Sequence, residues 1–89
     1  MATAYFTIED LRRLLIESAG VEEGVDLDAD IADTTFADLG YESIALLETG
    51  SAIEREYGVS LDEESLDETS TPRRLVQTVN AQLSAAEAA

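Results

Sequence analysis

Hydrophobic positions recur at helical spacing in three stretches of the chain, separated by two irregular ones. In the first, Ile8, Leu11, Leu14, Leu15 and Ala19 form a stripe with the three-and-four alternation of a helix. Thr7 is placed to cap its start, and Asp10 at the third helical position completes a variant capping box. Phe6 and Leu11 flank that start at the spacing of a hydrophobic staple, and Gly20 supplies the stop. The pattern predicts a helix from Ile8 to Ala19. The second stretch predicts a helix from Ser43 to Tyr57. Ile44, Leu47 and Ala52, joined by Leu46, Ile53 and Tyr57, make a broad apolar face, and Glu42, Glu48, Glu54 and Glu56 form the wet side. Gly50 within it costs roughly 1 kcal/mol against alanine, which points to close packing or a weak point. Gly58 ends the helix. The third opens with Thr71-Pro72, a cap followed by proline at the first helical position. Leu75, Val76, Val79 and Leu83 then mark its buried side, and residues 84–89 read as a frayed tail.

Residues 21–42 carry no sustained period. A loop beyond about 12–15 residues is uncommon in a compact domain unless it has a task or hides a turn of helix. Its scattered apolar residues, Val21, Val25, Leu27, Ile31, Phe36 and Leu39, are expected to pin it across the helix ends, with Gly40 closing it. Leu61 to Leu66 is expected to form one or two helical turns. No strand-like alternation and no repeat is present. The fold class is therefore all-α: one domain over residues 1–89, a small antiparallel bundle of three main helices plus one short helix, with a long loop between the first two.

Composition narrows the function. A domain of 89 residues buries only about 60–65% of its unfolded surface, so the core is single and modest. The absence of cysteine removes disulfides and thiolate metal sites and fits a reducing compartment. The N-terminal residues lack the basic and apolar regions of a signal peptide, and no segment has the length of a membrane span. The expectation is a cytoplasmic monomer. Twenty acidic residues against five arginines give a net charge of −15. That field repels nucleic acid and anionic membranes and draws in basic partners at salt-dependent rates.

Candidate chemistry is then mostly a matter of exclusion. Asp26, Asp28 and Asp30 imitate the opening of a calcium loop, but Ile31 and Ala37 stand where glycine and glutamate are required, so no metal site is expected. A serine nucleophile needs a neighbouring base, and histidine and lysine are both absent. Paired carboxylates abound, yet a thin core offers no deep apolar pocket to separate their pKa values. The chain reads as a non-enzyme. Ser43 remains. A serine near a helix start is most often a cap. Here, however, a glycine three residues earlier allows close approach, and a phosphate ester at this position would meet free backbone N–H groups at the positive end of a helix.

The segment Asp38-Leu39-Gly40-Tyr41-Glu42-Ser43-Ile44 resembles the Gly-x-Asp-Ser-Leu signature of acyl carrier proteins. The leading helix, the long loop, Phe36 before Leu39, and Tyr57-Gly58-Val59 extend the resemblance over almost the whole chain, and Thr71-Pro72-Arg73 is similar to the discrete carriers of type II aromatic polyketide synthases. The resemblance implies a covalent 4′-phosphopantetheine on Ser43, installed by a phosphopantetheinyl transferase from coenzyme A with Mg²⁺. Its thiol would carry malonyl units and the growing chain to a ketosynthase/chain-length factor, malonyl transferase, ketoreductase and cyclases in antibiotic biosynthesis. Glu48 and Glu54 read as solvated helix surface and, as the resemblance implies, as part of a docking face with Glu42 and Ile44. Arg73 and Asn80 read as the edge of a helix, or as contacts for the carbonyls of an acyl chain if the bundle opens to take one. Glu42 stands where the family usually has aspartate, and Ile44 where it has leucine. A carrier of fatty acid synthesis or another thiotemplated pathway fits the same residues. An acidic interaction module or nucleic-acid mimic is the alternative of another class.

Overall fold

The computed structural model describes residues 5–20 and 30–88. Among these, three helices and no strand are present: α1 (Ile8–Ala19), α2 (Ser43–Tyr57) and α3 (Pro72–Ala88). The loop residues Val21, Val25, Leu27, Asp26 and Asp28 lie outside the described residues. No described helix is long and apolar enough to cross a membrane.

Local chemistry sets the helix ends where the pattern puts them. At α1, the Asp10 N–H donates to Thr7 Oγ1 and the Thr7 N–H donates to Asp10 Oδ2, each at 3.1 Å, so two otherwise orphaned donors are satisfied reciprocally. The α2 helix ends on Gly58 in the left-handed region (φ 69°), with its N–H on the Glu54 carbonyl at 2.9 Å. At α3, the Arg74 N–H donates to Thr71 Oγ1 at 3.3 Å and Pro72 is buried. The helix continues to Ala88, through positions where the sequence suggests fraying.

Leu11, Leu14 and Leu15 of α1, Leu46 and Ile53 of α2, and Leu75 and Val79 of α3 form one core with Phe6 and Phe36. Phe6 meets Tyr57 edge to face with ring centroids 5.0 Å apart. The buried side of α2 differs from the expected one. Leu46, Thr49, Gly50 and Ile53 face inward, whereas Ile44 is 71% and Leu47 50% exposed. Thr49 can be buried because its hydroxyl donates to the Ala45 carbonyl one turn back, at 3.0 Å. Gly50 is there for approach: a Cβ at that position would lie 2.6 Å from a Leu66 methyl.

The segment expected to be a short helix closes instead as two overlapping turns, with the Leu66 N–H on the Glu63 carbonyl and the Asp67 N–H on the Glu64 carbonyl. Side-chain bonding explains why it goes no further. Asp62 accepts from both the N–H and the hydroxyl of Ser65, and Asp67 accepts from both the N–H and the hydroxyl of Thr69, so local acceptors compete with a helical ladder. Those bonds hold both carboxyls below their ordinary range, the backbone N–H contributing most in each case.

The α1–α2 loop is anchored residue by residue. Ile31, Ala32, Phe36, Leu39 and Tyr41 are buried. Phe36–Gly40 makes a helical turn that closes on Gly40 at φ 87°. The Tyr41 hydroxyl donates to the Gly20 carbonyl at 2.8 Å. Across to the second connection, the Phe36 N–H donates to the Ser70 carbonyl at 3.0 Å and the Ala37 N–H to the Glu68 carbonyl at 2.9 Å. Asn80 of α3 holds the N-terminal segment by both main-chain groups of Phe6, each at 2.8 Å.

Two stability measurements check this packing. Gly50→Ala should lower the urea unfolding free energy by about 1 kcal/mol despite better helix propensity, because Leu66 must move. In a Leu66→Ala background the same change should become neutral or stabilising, and an equal effect in both backgrounds would rule out the contact as its cause. Asn80→Ala should cost about 1–3 kcal/mol by leaving two part-buried main-chain groups of Phe6 unpaired; thermal melts unchanged from the wild type would remove Asn80 from the fold's supports.

Candidate functional site

Ser43 is the first residue of α2, and its side chain is exposed. The preceding Glu42 occupies the cap position in extended conformation but makes no side-chain cap hydrogen bond, and the first turn carries no acid of its own. Glutamate is not among the residues that cap well, because its longer side chain does not reach back as Ser, Asp or Asn does. The helix therefore starts with backbone donors that no side chain covers, next to an exposed hydroxyl. Such a start offers free N–H donors that a phosphodiester can take.

Two depressions flank the serine. One, of ≈ 530 Å³, lies where the end of α1 faces the start of α2 and is lined by Ser18, Ala19, Tyr41, Ile44 and Glu48 among others. The other, of ≈ 260 Å³, is lined by Ser43 and Leu47 of α2 and by Glu63, Leu66 and Asp67 of the turns before α3. Helical spacing accounts for the division: Ser43 and Leu47 are four apart on one side, and Ile44 and Glu48 are four apart on the next. The exposed pair Ile44 and Leu47 thus stands on the ridge between the depressions, beside the hydroxyl.

The structure brings together some of the residues singled out in the sequence and disperses others. Glu42, Ser43, Ile44 and Glu48 share the start of α2 and are all exposed. Glu54 does not belong with them. It is half-buried, and its carboxylate accepts the Leu61 N–H at 2.8 Å, tying the connection after α2 back onto that helix. Arg73 and Asn80, expected beside an acyl chain, are occupied elsewhere and line neither depression. Arg73 forks onto Asp33 with Nε–Oδ1 at 2.7 Å and Nη2–Oδ2 at 3.2 Å, and its own N–H donates to the Ala32 carbonyl. The guanidinium holds the Asp33 carboxyl below its ordinary value through that hydrogen bond. Asn80 is the clamp on Phe6. Arg73 and Asn80 take partners from distant segments, whereas Glu54 takes one from the connection that directly follows its own helix.

One residue of the site was not legible in the sequence. The Ser43 hydroxyl donates to Glu68 Oε2 at 3.2 Å, 25 positions along the chain. Glu68 is one acid among many between Asp62 and Glu68, and only the pairing of the two connections selects it.

The chain is similar to known proteins over nearly all of its length. Residues 9–79 match the model of the phosphopantetheine attachment site family. The monensin polyketide synthase acyl carrier protein of Streptomyces virginiae is 55% identical over 89 residues, covering 100% of both chains. The solution structure of the 3,7-dioxo-octyl actinorhodin acyl carrier protein of Streptomyces coelicolor superposes with a TM-score of 0.82 at 44% identity, covering 99% of this chain and 100% of that one. The holo form of the actinorhodin carrier superposes with a TM-score of 0.76 at 44% identity and the same coverage. The cofactor these findings indicate is a covalently attached 4′-phosphopantetheine, and the uncapped start of α2 fits its phosphodiester. With the match spanning the helices and the loop that leads into Ser43, the chain belongs to the phosphopantetheine attachment family, among its polyketide synthase acyl carrier proteins.

Proposed function

We propose that Ser43 is the residue that carries the phosphopantetheine arm. The observation that supports this reading is the coincidence, at one position, of an exposed hydroxyl, an uncapped helix start and a depression on either side. The arm supplies a thiol on which acyl groups travel as thioesters. The chain's own residues do the rest: they present the hydroxyl, leave backbone N–H groups for the phosphate and offer a surface to enzymes. The chain catalyses nothing itself: it has no histidine, cysteine or lysine, and the group on the Ser43 hydroxyl is a carboxylate, Glu68, a weak base. Activation of the hydroxyl comes from a phosphopantetheinyl transferase acting on coenzyme A with Mg²⁺.

The docking surface is the exposed start of α2. Ile44 and Leu47 supply apolar contact, and Glu42 and Glu48 supply charge around it. Basic patches on the transferase, malonyl transferase, ketosynthase/chain-length factor, ketoreductase and cyclases are the complementary surfaces. Rim charges chiefly set encounter rates, whereas the apolar pair sets how long the complex lasts. The smaller depression between Leu47 and Leu66 has room for the first atoms of a tethered chain, and a long polyketide would lie largely outside it.

Two experiments test this. Incubated with coenzyme A and a broad-specificity transferase, the wild-type chain should gain the mass of one phosphopantetheine and Ser43→Ala none; a Ser43→Ala variant that still gains the arm would move the attachment elsewhere. In the same assay, Glu48→Lys should slow loading several-fold at low salt, converge on the wild type as ionic strength rises and leave the circular dichroism melt in place. A deficit independent of salt would take Glu48 out of the docking surface.

A further inference from the structure

The carboxylate that accepts the Ser43 hydrogen bond is held in place by the main chain around it. The Ala37 N–H donates to the Glu68 carbonyl and the Phe36 N–H to the Ser70 carbonyl, which fixes the backbone on both sides of Glu68 against the loop that leads into α2. The Ser70 N–H donates to the Asp67 carbonyl at 2.9 Å, and Asp67 Oδ1 takes the N–H and hydroxyl of Thr69 at 2.8 Å each, closing a tight turn over residues 67–70. From this turn the Glu68 side chain reaches the first residue of α2. The adjoining residues Glu63, Leu66 and Asp67 are one wall of the smaller depression, and Ser43 and Leu47 are the other. The Ser43–Glu68 hydrogen bond therefore spans the two walls.

Esterification of Ser43 reverses this contact. The modified Oγ has no proton left to donate, and the phosphodiester attached to it is an anion at hydrogen-bonding range from a carboxylate. Attraction becomes like-charge repulsion at one atom. We infer that the Ser43–Glu68 contact is a loading sensor: it ties the turns before α3 to α2 in the unmodified chain, and installation of the arm releases it and pushes the Glu63–Asp67 wall away from Leu47. This rests on Ser43 being the attachment residue. A partner enzyme would then meet a different surface before and after loading, and the depression beside the serine would open only once there is an arm to use it.

Nuclear magnetic resonance of the full-length chain tests this. Amide shifts and hydrogen exchange are compared before and after loading from coenzyme A, with mass spectrometry confirming the extent of modification. In the wild type, loading should shift the Leu66 and Thr69 amides and speed exchange at Ala37, whose N–H depends on the Glu68 carbonyl, by about three- to tenfold. In Glu68→Gln, compared at an equal extent of modification by mass, the neutral amide can donate to the phosphate, so the Ala37 change should shrink to less than about twofold. Ser43→Ala removes the bond without adding an anion, so it should raise Ala37 exchange part of the way with no arm present. If the wild type gains the arm and the Ala37 and Leu66 amides stay where they were, the sensor is wrong and the attachment reading stands. If Ser43→Ala still gains the arm, both fall together.

Discussion

Two backbone hydrogen bonds, from Phe36 to Ser70 and from Ala37 to Glu68, join the connection before α2 to the connection before α3. Among the described residues neither connection has a regular helix or strand that could place it on its own, and each brings residues to the candidate site. The first carries the turn that ends at Gly40 and delivers Ser43; the second carries Leu66, Asp67 and Glu68 to the opposite side of the serine. Phe36, fully buried beneath the junction, gives it an apolar foundation, and the N–H of Arg73 on the Ala32 carbonyl extends it to the start of α3. Burial of Phe36 and Ser70 shields the first of these bonds from water, whereas Ala37, the donor of the second, is exposed. The geometry at Ser43 is thus a consequence of loop pairing as much as of helix packing.

The charge distribution suits a protein held together by apolar packing and local bonds, with its acids left for other uses. The ion pairs Arg13–Glu17, Arg13–Glu56 and Arg73–Asp33 are all solvent-exposed, a setting in which such pairs contribute little. Several acids act as local acceptors instead: Asp10 in the α1 cap, Asp62 and Asp67 in the turns, Glu54 on Leu61. Asp62 and Asp67 consequently hold on to their charge to lower pH than an ordinary carboxylate. The support they give is complete above the ordinary aspartate range and is lost as pH falls through their depressed values. A net charge of −15 therefore coexists with a folded chain because part of it is engaged in structure.

What the sequence disclosed and what it withheld divide along the range of the interactions. Helix ends were legible because capping is local: Thr7 with Asp10, Thr71 with Pro72, and Gly58 each act within a few residues. Gly50 was legible as a close approach, though Leu66 as its neighbour was not. The orientation of α2 was misread, because hydrophobic residues surround the helix and the deciding inward positions include a threonine and a glycine. Thr49 hides its polarity on the Ala45 carbonyl, and this leaves Ile44 and Leu47 outside. Glu54, Arg73, Asn80 and Glu68 each bond to a partner that helix patterning does not name: Leu61, Asp33, Phe6 and Ser43.

Glu42 shows how the site's chemistry and the helix's stability pull in different directions. Aspartate, serine or asparagine at that position would cap α2 and by general experience add about 1 kcal/mol to the helix. The chain has glutamate there, and its side chain makes no cap bond. The departure from the family's usual aspartate, unremarkable as a change of charge, is thus consequential as a change of reach. An uncapped start keeps its N–H groups turned to solvent, where an arriving phosphodiester can take them without first displacing a side chain. Glu68 occupies the complementary position, holding the serine's proton from across the depression while leaving those N–H groups alone. The missing cap leaves the start of α2 open, while Gly58 and Glu54 secure its other end.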